Sequence, residues 1–217
     1  MSTQTFSIQT FELGPMDNFI YLIQDKQTHQ AAVLDPAWEI REITQAAKQQ
    51  QLQITDVLLT HAHYDHINGL MTLLRDWDAQ VHISKKEAEF IEYKLSDNMV
   101  LHEDEEVIHL GNTKIKIWHM PGHTPGSVCY DLGRHLFTGD TLFVGGCGRC
   151  NLRGGDATQL YHSLKKLAHF PSDILIYPGH NYGRTPTSTL AEQVATNPFM
   201  QFNRPEKFVQ YRNRPKF

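Results

Sequence analysis

The sequence predicts an α/β fold with two β-rich halves, each covered by helices. Three observations carry this expectation. Strand-like and helix-like segments alternate from Phe19 to Leu95, and from Lys114 the apolar period shortens to two. The 217 residues suffice for one sizeable core but not for two full domains with linkers.

Phe19–Ile23 and Ala31–Leu34 read as core strands separated by the polar turn Asp25–Gln30, and Asp35-Pro36 ends the second. From Glu39 to Gln51, the residues Ile40, Ile43, Ala46 and Ala47 recur at helical spacing, as on an amphipathic helix lying on a sheet. Ile54–Leu59 is a buried strand. The run Ile67–Leu74, extending to Trp77, is the helix after it, Gln80–Ile83 a further strand and Lys85–Leu95 a further helix. Glu103–Glu106 is a solvated acidic turn. Lys114–His119 alternates polar and apolar side chains, and strand-like runs continue through Ser127–Leu132 and His135–Phe137. Asp156 is placed to cap a helix carrying Leu160, Leu164 and Leu167 on one face, and Ile174–Tyr177 is the last core strand. A helix over Leu190–Thr196 stops before Asn197-Pro198, because the residue preceding proline resists helical backbone. The domain is therefore expected over residues 1–200, with a short basic tail over 201–217.

Composition narrows the function classes. The net charge is −4, the pI is near 6.3, and Lys and Arg are scattered, so there is no electrostatic footprint for nucleic acid. No segment approaches the ~20 apolar residues of a membrane span, and Met1–Thr10 lacks the basic start and apolar core of a signal peptide. Cys129, Cys147 and Cys150 are too sparse for a disulfide framework and fit a reducing compartment. The Cys147-x-x-Cys150 pair lacks the second ligand pair of a structural zinc site. A cytoplasmic protein without nucleic-acid or membrane partners is expected; the sequence assigns no oligomeric state.

The densest chemistry lies in Thr60-His61-Ala62-His63-Tyr64-Asp65-His66, directly after an apolar strand. Two residues apart in extended chain, His61 and His63 point to one side and can grip one ion, while Asp65 and His66 turn toward a second position. Imidazole suits zinc, iron or nickel, and a neighbouring carboxylate suits a divalent ion with a position open to water. Three later segments each end a strand with a glycine and a potential ligand: Gly122-His123, Gly139-Asp140 and Gly179-His180. Glycine there lets the backbone come close or take positive φ, aiming the side chain at a fixed point.

In this order, His-x-His-x-Asp-His, Pro-Gly-His-Thr-Pro-Gly, Thr-Gly-Asp and Pro-Gly-His resemble the metallo-β-lactamase superfamily, over about Asn18 to Pro198. The resemblance implies an αββα four-layer sandwich with a metal centre at one edge. It places His61, His63 and His123 on one metal and Asp65, His66 and His180 on the other, bridged by Asp140. The β-lactamases proper commonly have Cys or Ser at the third motif, so Asp140 argues against antibiotic hydrolysis, and the nuclease branches carry extra domains.

The block Gly146-Cys147-Gly148-Arg149, with Asp17-Asn18-Phe19 and His180-Asn181-Tyr182, is similar to the glyoxalase II and persulfide dioxygenase branches, which both act on glutathione-bound sulfur. The glyoxalase II pattern maps substrate binding onto Arg149 and Tyr182. It implies a thioester hydrolase acting on a hydroxyacylglutathione-type or related acyl thiol, with two divalent ions, zinc foremost and iron or manganese also accommodated, and a metal-bound hydroxide as nucleophile. Asp65 would orient that nucleophile and Asp140 hold both ions. The chain departs from that branch in stopping soon after the last motif and in having Asn151 where Tyr is usual. The alternative is a mononuclear iron persulfide dioxygenase using His61, His123 and Asp140. Leu160-Tyr161-His162-Ser163, Ser188-Thr189 and Asn197-Pro198 resemble that branch, whereas Cys150-Asn151 replaces its common Thr-Asp. A non-catalytic metal module would lack ligands, and all seven are present.

Overall fold

Among the described residues, 4–91, 94–212 and 214, the computed structural model forms two six-stranded sheets. The first runs in chain order: β1 (Phe6–Leu13), β2 (Asn18–Asp25), β3 (Gln30–Leu34), β4 (Gln53–Leu58), β5 (Gln80–Ser84) and β6 (Met99–His102). It is antiparallel from β1 to β3 and parallel from β3 to β6. The second contains β7 (Val107–Leu110), β8 (Thr113–His119), β9 (Val128–Asp131), β10 (His135–Gly139), β11 (Leu175–Pro178) and β12 (Ser188–Thr189), also neighbours in chain order. Its single parallel pair is β10 with β11, crossed by helix α5 (Ala157–Leu167).

Three apolar layers explain why the β2 sequence is apolar almost throughout. Ile20 and Leu22 face a cluster shared with α1 (Ile40–Gln49) and α3 (Leu70–Asp76), while Phe19, Tyr21 and Ile23 face Ile115, Ile117, Tyr130 and Phe137 of the second sheet. A strand covered on both faces has no polar alternation to show. The third cluster lies between the second sheet and the α5 residues Leu160, Leu164 and Leu167. Helix, sheet, sheet and helix thus form the four layers of an αββα sandwich. Each fully buried Leu or Ile contributes about 1.5–3 kcal/mol.

The structure departs from the sequence reading at several elements. β1 lies where the sequence is mostly polar, because its apolar residues change face midway. Phe6 and Ile8 enter the layer between the sheets, whereas Phe11 and Leu13 enter the outer one, so no single period of two runs through it. The short strands β6 and β7 flank the Glu103–Glu106 turn without a distinguishing pattern. The helix expected from Ile67 is divided at Gly69, which donates its N–H to Pro36 O and separates α2 (Tyr64–Ile67) from α3. Helix α4 spans Lys85–Ile91, and residues 92 and 93 of the longer helix expected there lie outside the described residues.

The segment beyond residue 200, read from the sequence as polar and basic, contains a helix. After α6 (Leu190–Thr196), Pro205–Arg212 forms α7, with Phe208 fully buried against the α5 layer and Tyr161. Lys216 of the expected basic tail lies outside the described residues. Among the described residues, no helix is long and apolar enough to cross a membrane.

Candidate metal centre

The parallel strand β4 leads directly into Leu59-Thr60, whose backbone is held on both sides. Leu59 N–H donates to His82 O at 3.0 Å, and Thr60 N–H donates to Asp35 Oδ1 at 2.8 Å. From the facing sheet, Val128 N–H donates to Thr60 O at 2.9 Å and the Tyr130 hydroxyl to Leu59 O at 3.0 Å. The histidine loop therefore leaves a rigid strand end at the seam between the sheets. The loop carrying His180 is tied to the same seam: Phe19 N–H donates to Gly179 O at 2.8 Å and the Tyr21 hydroxyl to Pro178 O at 2.6 Å.

Two groups of donor atoms result. In the first, His123 Nε2 lies 3.2 Å from His61 Nε2 and 2.8 Å from His63 Nδ1. In the second, His66 Nε2 and His180 Nε2 are 3.2 Å apart, and Asp65 Oδ2 is 3.6 and 3.5 Å from them. Each group could hold a metal ion. Asp140 stands between them. Its Oδ2 is 3.3 Å from His123 Nε2, and its Oδ1 is 3.4 and 3.5 Å from Nε2 of His66 and His180.

The far side of each ring fixes which nitrogen carries a proton. His123 Nδ1 lies 2.6 Å from Arg149 O and His180 Nδ1 lies 2.8 Å from Met16 O; a carbonyl only accepts, so both Nδ1 atoms donate. His66 Nδ1 donates to Asp35 Oδ2 at 3.0 Å. The Thr60 hydroxyl gives its proton to Asp35 Oδ2 at 2.6 Å, so at 3.0 Å it accepts from His61 Nδ1. In neutral rings all four Nε2 atoms then present lone pairs to one another and to Asp140, whose buried Oδ1 has no hydrogen-bond partner. So close a convergence of acceptors suits a bound cation, and the oxygens that receive the far nitrogens of metal-binding histidines orient the rings in the same way. The donor set of imidazole and carboxylate fits a divalent metal.

A sequence profile described as the Metallo-beta-lactamase superfamily matches residues 13–180, a span that contains all seven of these side chains. The chain belongs to this superfamily. It is 36% identical to "Probable polyketide biosynthesis zinc-dependent hydrolase BaeB" of Bacillus velezensis, over 91% of this chain and 88% of that protein. It is 38% identical to the hydroxyacylglutathione hydrolase of Tolumonas auensis, over 76% of this chain and 62% of the relative. Human mitochondrial persulfide dioxygenase ETHE1 is 35% identical over 83% of this chain and 70% of the relative. The crystal structure of ETHE1 from Myxococcus xanthus superposes with a TM-score of 0.87 at 31% identity, covering 97% of this chain and 92% of that one. These relatives place the chain among metal-dependent hydrolases of the metallo-β-lactamase superfamily and their neighbours.

Within this metallo-β-lactamase centre the two groups differ electrostatically. Burial pushes the His61 and His123 imidazoles down, and His63 to about 4, which leaves them neutral and ready to ligate. Burial also opposes charge on His66 and His180, but the Asp140 carboxylate outweighs it, with help from Asp35 at His66, and raises both. Burial would raise the Asp140 carboxyl, but the facing His66 and His123 rings, with hydrogen bonds from His180 and His66, outweigh it and hold Asp140 well below the usual carboxylate range.

The motif glycines do more than aim the ligands. A Cβ at Gly122, where φ is 132°, would collide with Leu160 of α5, and one at Gly126 would collide with the backbone of Glu87 in α4. A Cβ at Gly179 would come within 2.5 Å of Asp140 Oδ1. These glycines let two helices and one carboxylate approach the centre.

Tyr182 stands at the rim, 53% exposed and stacked on His180 with ring centroids 4.6 Å apart. The Arg149 side chain is exposed and donates to Asn151, while its carbonyl holds His123. Sequence reasoning assigned no supporting role to Asp35, Asn18 or Glu87, although Asn18 lies in the Asp17-Asn18-Phe19 segment that carries part of the resemblance. Asp35 follows β3 directly, so the strand-end rule that found the ligands also covers it. Asn18 and Glu87 carry no such signal.

Proposed function

We propose that this chain is a two-metal hydrolase that cleaves a thioester, an S-(2-hydroxyacyl)glutathione or a related acyl thiol. The observation that supports this reading is the Asp140 carboxylate, with one oxygen 3.3 Å from His123 Nε2 and the other 3.4 Å from His66 Nε2. A carboxylate facing both groups is suited to bridge two ions. Two divalent ions held there, zinc foremost and iron or manganese also fitting the donors, would acidify water and polarise a carbonyl oxygen.

The protein's own groups supply the rest. Asn18 Nδ2 donates to Asp65 O at 3.0 Å and Asp65 Oδ2 at 3.2 Å, and Trp38 Nε1 donates to Asn18 Oδ1 at 2.7 Å, which fixes the amide's orientation. Asp65 is thereby held with one oxygen toward His66 and His180. Half-buried rather than buried, it is the carboxylate that water reaches, and it takes the proton as water adds to the thioester carbon. The C–S bond then breaks with its electron pair on sulfur. A thiol has a pKa of about 8.5, so the thiolate leaves without a dedicated acid. Tyr182 at the rim and the exposed Arg149 are the groups to hold the thiol carrier.

The test is hydrolysis of an S-(2-hydroxyacyl)glutathione by zinc-loaded protein under anaerobic conditions, with free thiol as the readout. Turnover is expected, and Asp140→Ala is expected to lose both turnover and metal. Full hydrolysis with full metal content in Asp140→Ala would sink the reading.

The extent of the likeness to ETHE1 from Myxococcus xanthus favours a second reading, persulfide oxidation at one iron held by His61, His123 and Asp140. It leaves His63, Asp65, His66 and His180 without a task although they converge on the same centre. Oxygen uptake by iron-loaded protein given glutathione persulfide, beside a no-enzyme control, separates the two. Rapid stoichiometric uptake establishes the dioxygenase; none, in protein confirmed to hold iron, leaves thioester hydrolysis.

A further inference from the structure

We propose that Glu87 is a positioning residue that fixes the His61-Ala62-His63 loop and the His123 turn at one separation, and so sets the geometry of the first metal position. The inference rests on the two-metal reading above.

Glu87 lies in the first turn of α4, 1% exposed, and among the described residues no cation pairs with it. A buried carboxylate without a counter-ion persists only where hydrogen bonds replace its hydration. Glu87 has three. Oε1 accepts from Ala62 N–H at 2.9 Å; Oε2 accepts from the Thr124 hydroxyl at 2.7 Å and from Gly126 N–H at 3.0 Å. Ala62 sits between two of the histidines, and Thr124 follows the third. One side chain therefore grips, through its two oxygens, the two segments that must meet for His61, His63 and His123 to face one another.

A simpler role, capping α4, is already filled. Ser84 Oγ accepts Glu87 N–H at 3.1 Å and donates to Gly126 O at 2.6 Å, while the Glu87 carboxylate takes its donors from other segments. The donors around it are also complete without a proton on Glu87. The Thr124 hydroxyl gives its hydrogen to Glu87, and Ser127 Oγ, 2.7 Å from Thr124 Oγ1, gives its own to Thr124 and accepts Thr124 N–H at 3.1 Å. The geometry thus calls for two acceptor oxygens. An amide supplies one acceptor and one donor, so it can satisfy Ala62 N–H or Gly126 N–H but not both. Glutamine, equal in size, should release one loop from the other.

The experiment measures metal stoichiometry and affinity by competition with a chromophoric chelator, and the visible spectrum of the cobalt-substituted protein, for wild type, Glu87→Gln and Glu87→Ala. Melting of the metal-free proteins is recorded beside it. Wild type should take two ions. Both variants should bind one ion as wild type does and the other about 10- to 100-fold more weakly, the range typical when a group that holds a metal ligand in place is lost. The cobalt bands of the weakened position should shift, with the alanine change larger than the glutamine one. Glu87→Gln, being isosteric, keeps the test open where Glu87→Ala fails to fold. Two ions bound with wild-type affinity and spectra in Glu87→Gln, whatever its melting temperature, would overturn the role of Glu87. A single ion in wild type would instead overturn the two-metal reading itself.

Discussion

Asp35 and His66 form a fully enclosed pair: His66 Nδ1 donates to Asp35 Oδ2 at 3.0 Å, and each side chain is 1% exposed. The same carboxylate receives the Thr60 hydroxyl and, through it, orients His61. Asp35 therefore supports one histidine in each metal group. Asp35→Ala is expected to weaken both ions by about 10- to 100-fold, read as metal content after dialysis, whereas Thr60→Val should weaken chiefly the ion at His61. Equal and unchanged metal content in both variants would refute this.

The two groups should respond differently to pH. In the metal-free protein, His66 and His180 are raised by Asp140 against the effect of burial, and His63 is lowered to about 4 by burial. A raised pKa means the proton is still bound at a pH where an ordinary imidazole has lost it, and that proton competes with a metal. As pH falls from neutral, the ion at Asp65, His66 and His180 should leave first, while the ion at His61, His63 and His123 persists to lower pH. Metal stoichiometry across a pH series would show a two-step loss; a single step would contradict the opposite shifts.

Gly122→Ala should be among the most damaging single substitutions. It places a side chain at a φ of 132° and drives it into Leu160. Backbone strain and overpacking together cost roughly 2–6 kcal/mol. Denaturant titration should show the protein largely unfolded or strongly destabilised.

Helix α7 offers a change remote from the chemistry. Phe208 is fully buried among Tyr161, Phe199 and Phe202, and Phe208→Ala should cost about 3–5 kcal/mol. Arg212 on the same helix donates to Gly148 O at 2.8 Å, one residue before the carbonyl that holds His123. Arg212→Ala should therefore perturb metal affinity with little loss of stability, the reverse of Phe208→Ala. Thermal melts and chelator competition on both variants separate the two effects.

The seven ligand candidates were legible because each motif is local: a strand, a glycine or histidine cluster, and a side chain at the strand end. Their supports were not. Asn18 meets Asp65 from a position 47 residues earlier in the chain, Trp38 reaches Asn18 across 20 residues, and Glu87 meets Ala62 and Thr124 across 25 and 37 residues. A lone polar residue carries no sign of a partner so distant. Helix α7 was missed for a related reason: Phe208 is its one fully buried side chain in a polar run, too little to make an apolar stripe. β1 was missed because it serves two layers in turn.

The Glu103–Glu106 turn separates the sheets and also divides the ligands. His61, His63, Asp65 and His66 precede it; His123, Asp140 and His180 follow it. Neither group of donors is complete on one side, so each ion would act as a clasp between two halves of the sandwich, closing long stretches of chain much as a disulfide does. A peptide cut in that turn would leave two fragments whose hold on one another strengthens with every ion bound, and a chelator would work on them as a reductant works on a disulfide-linked pair.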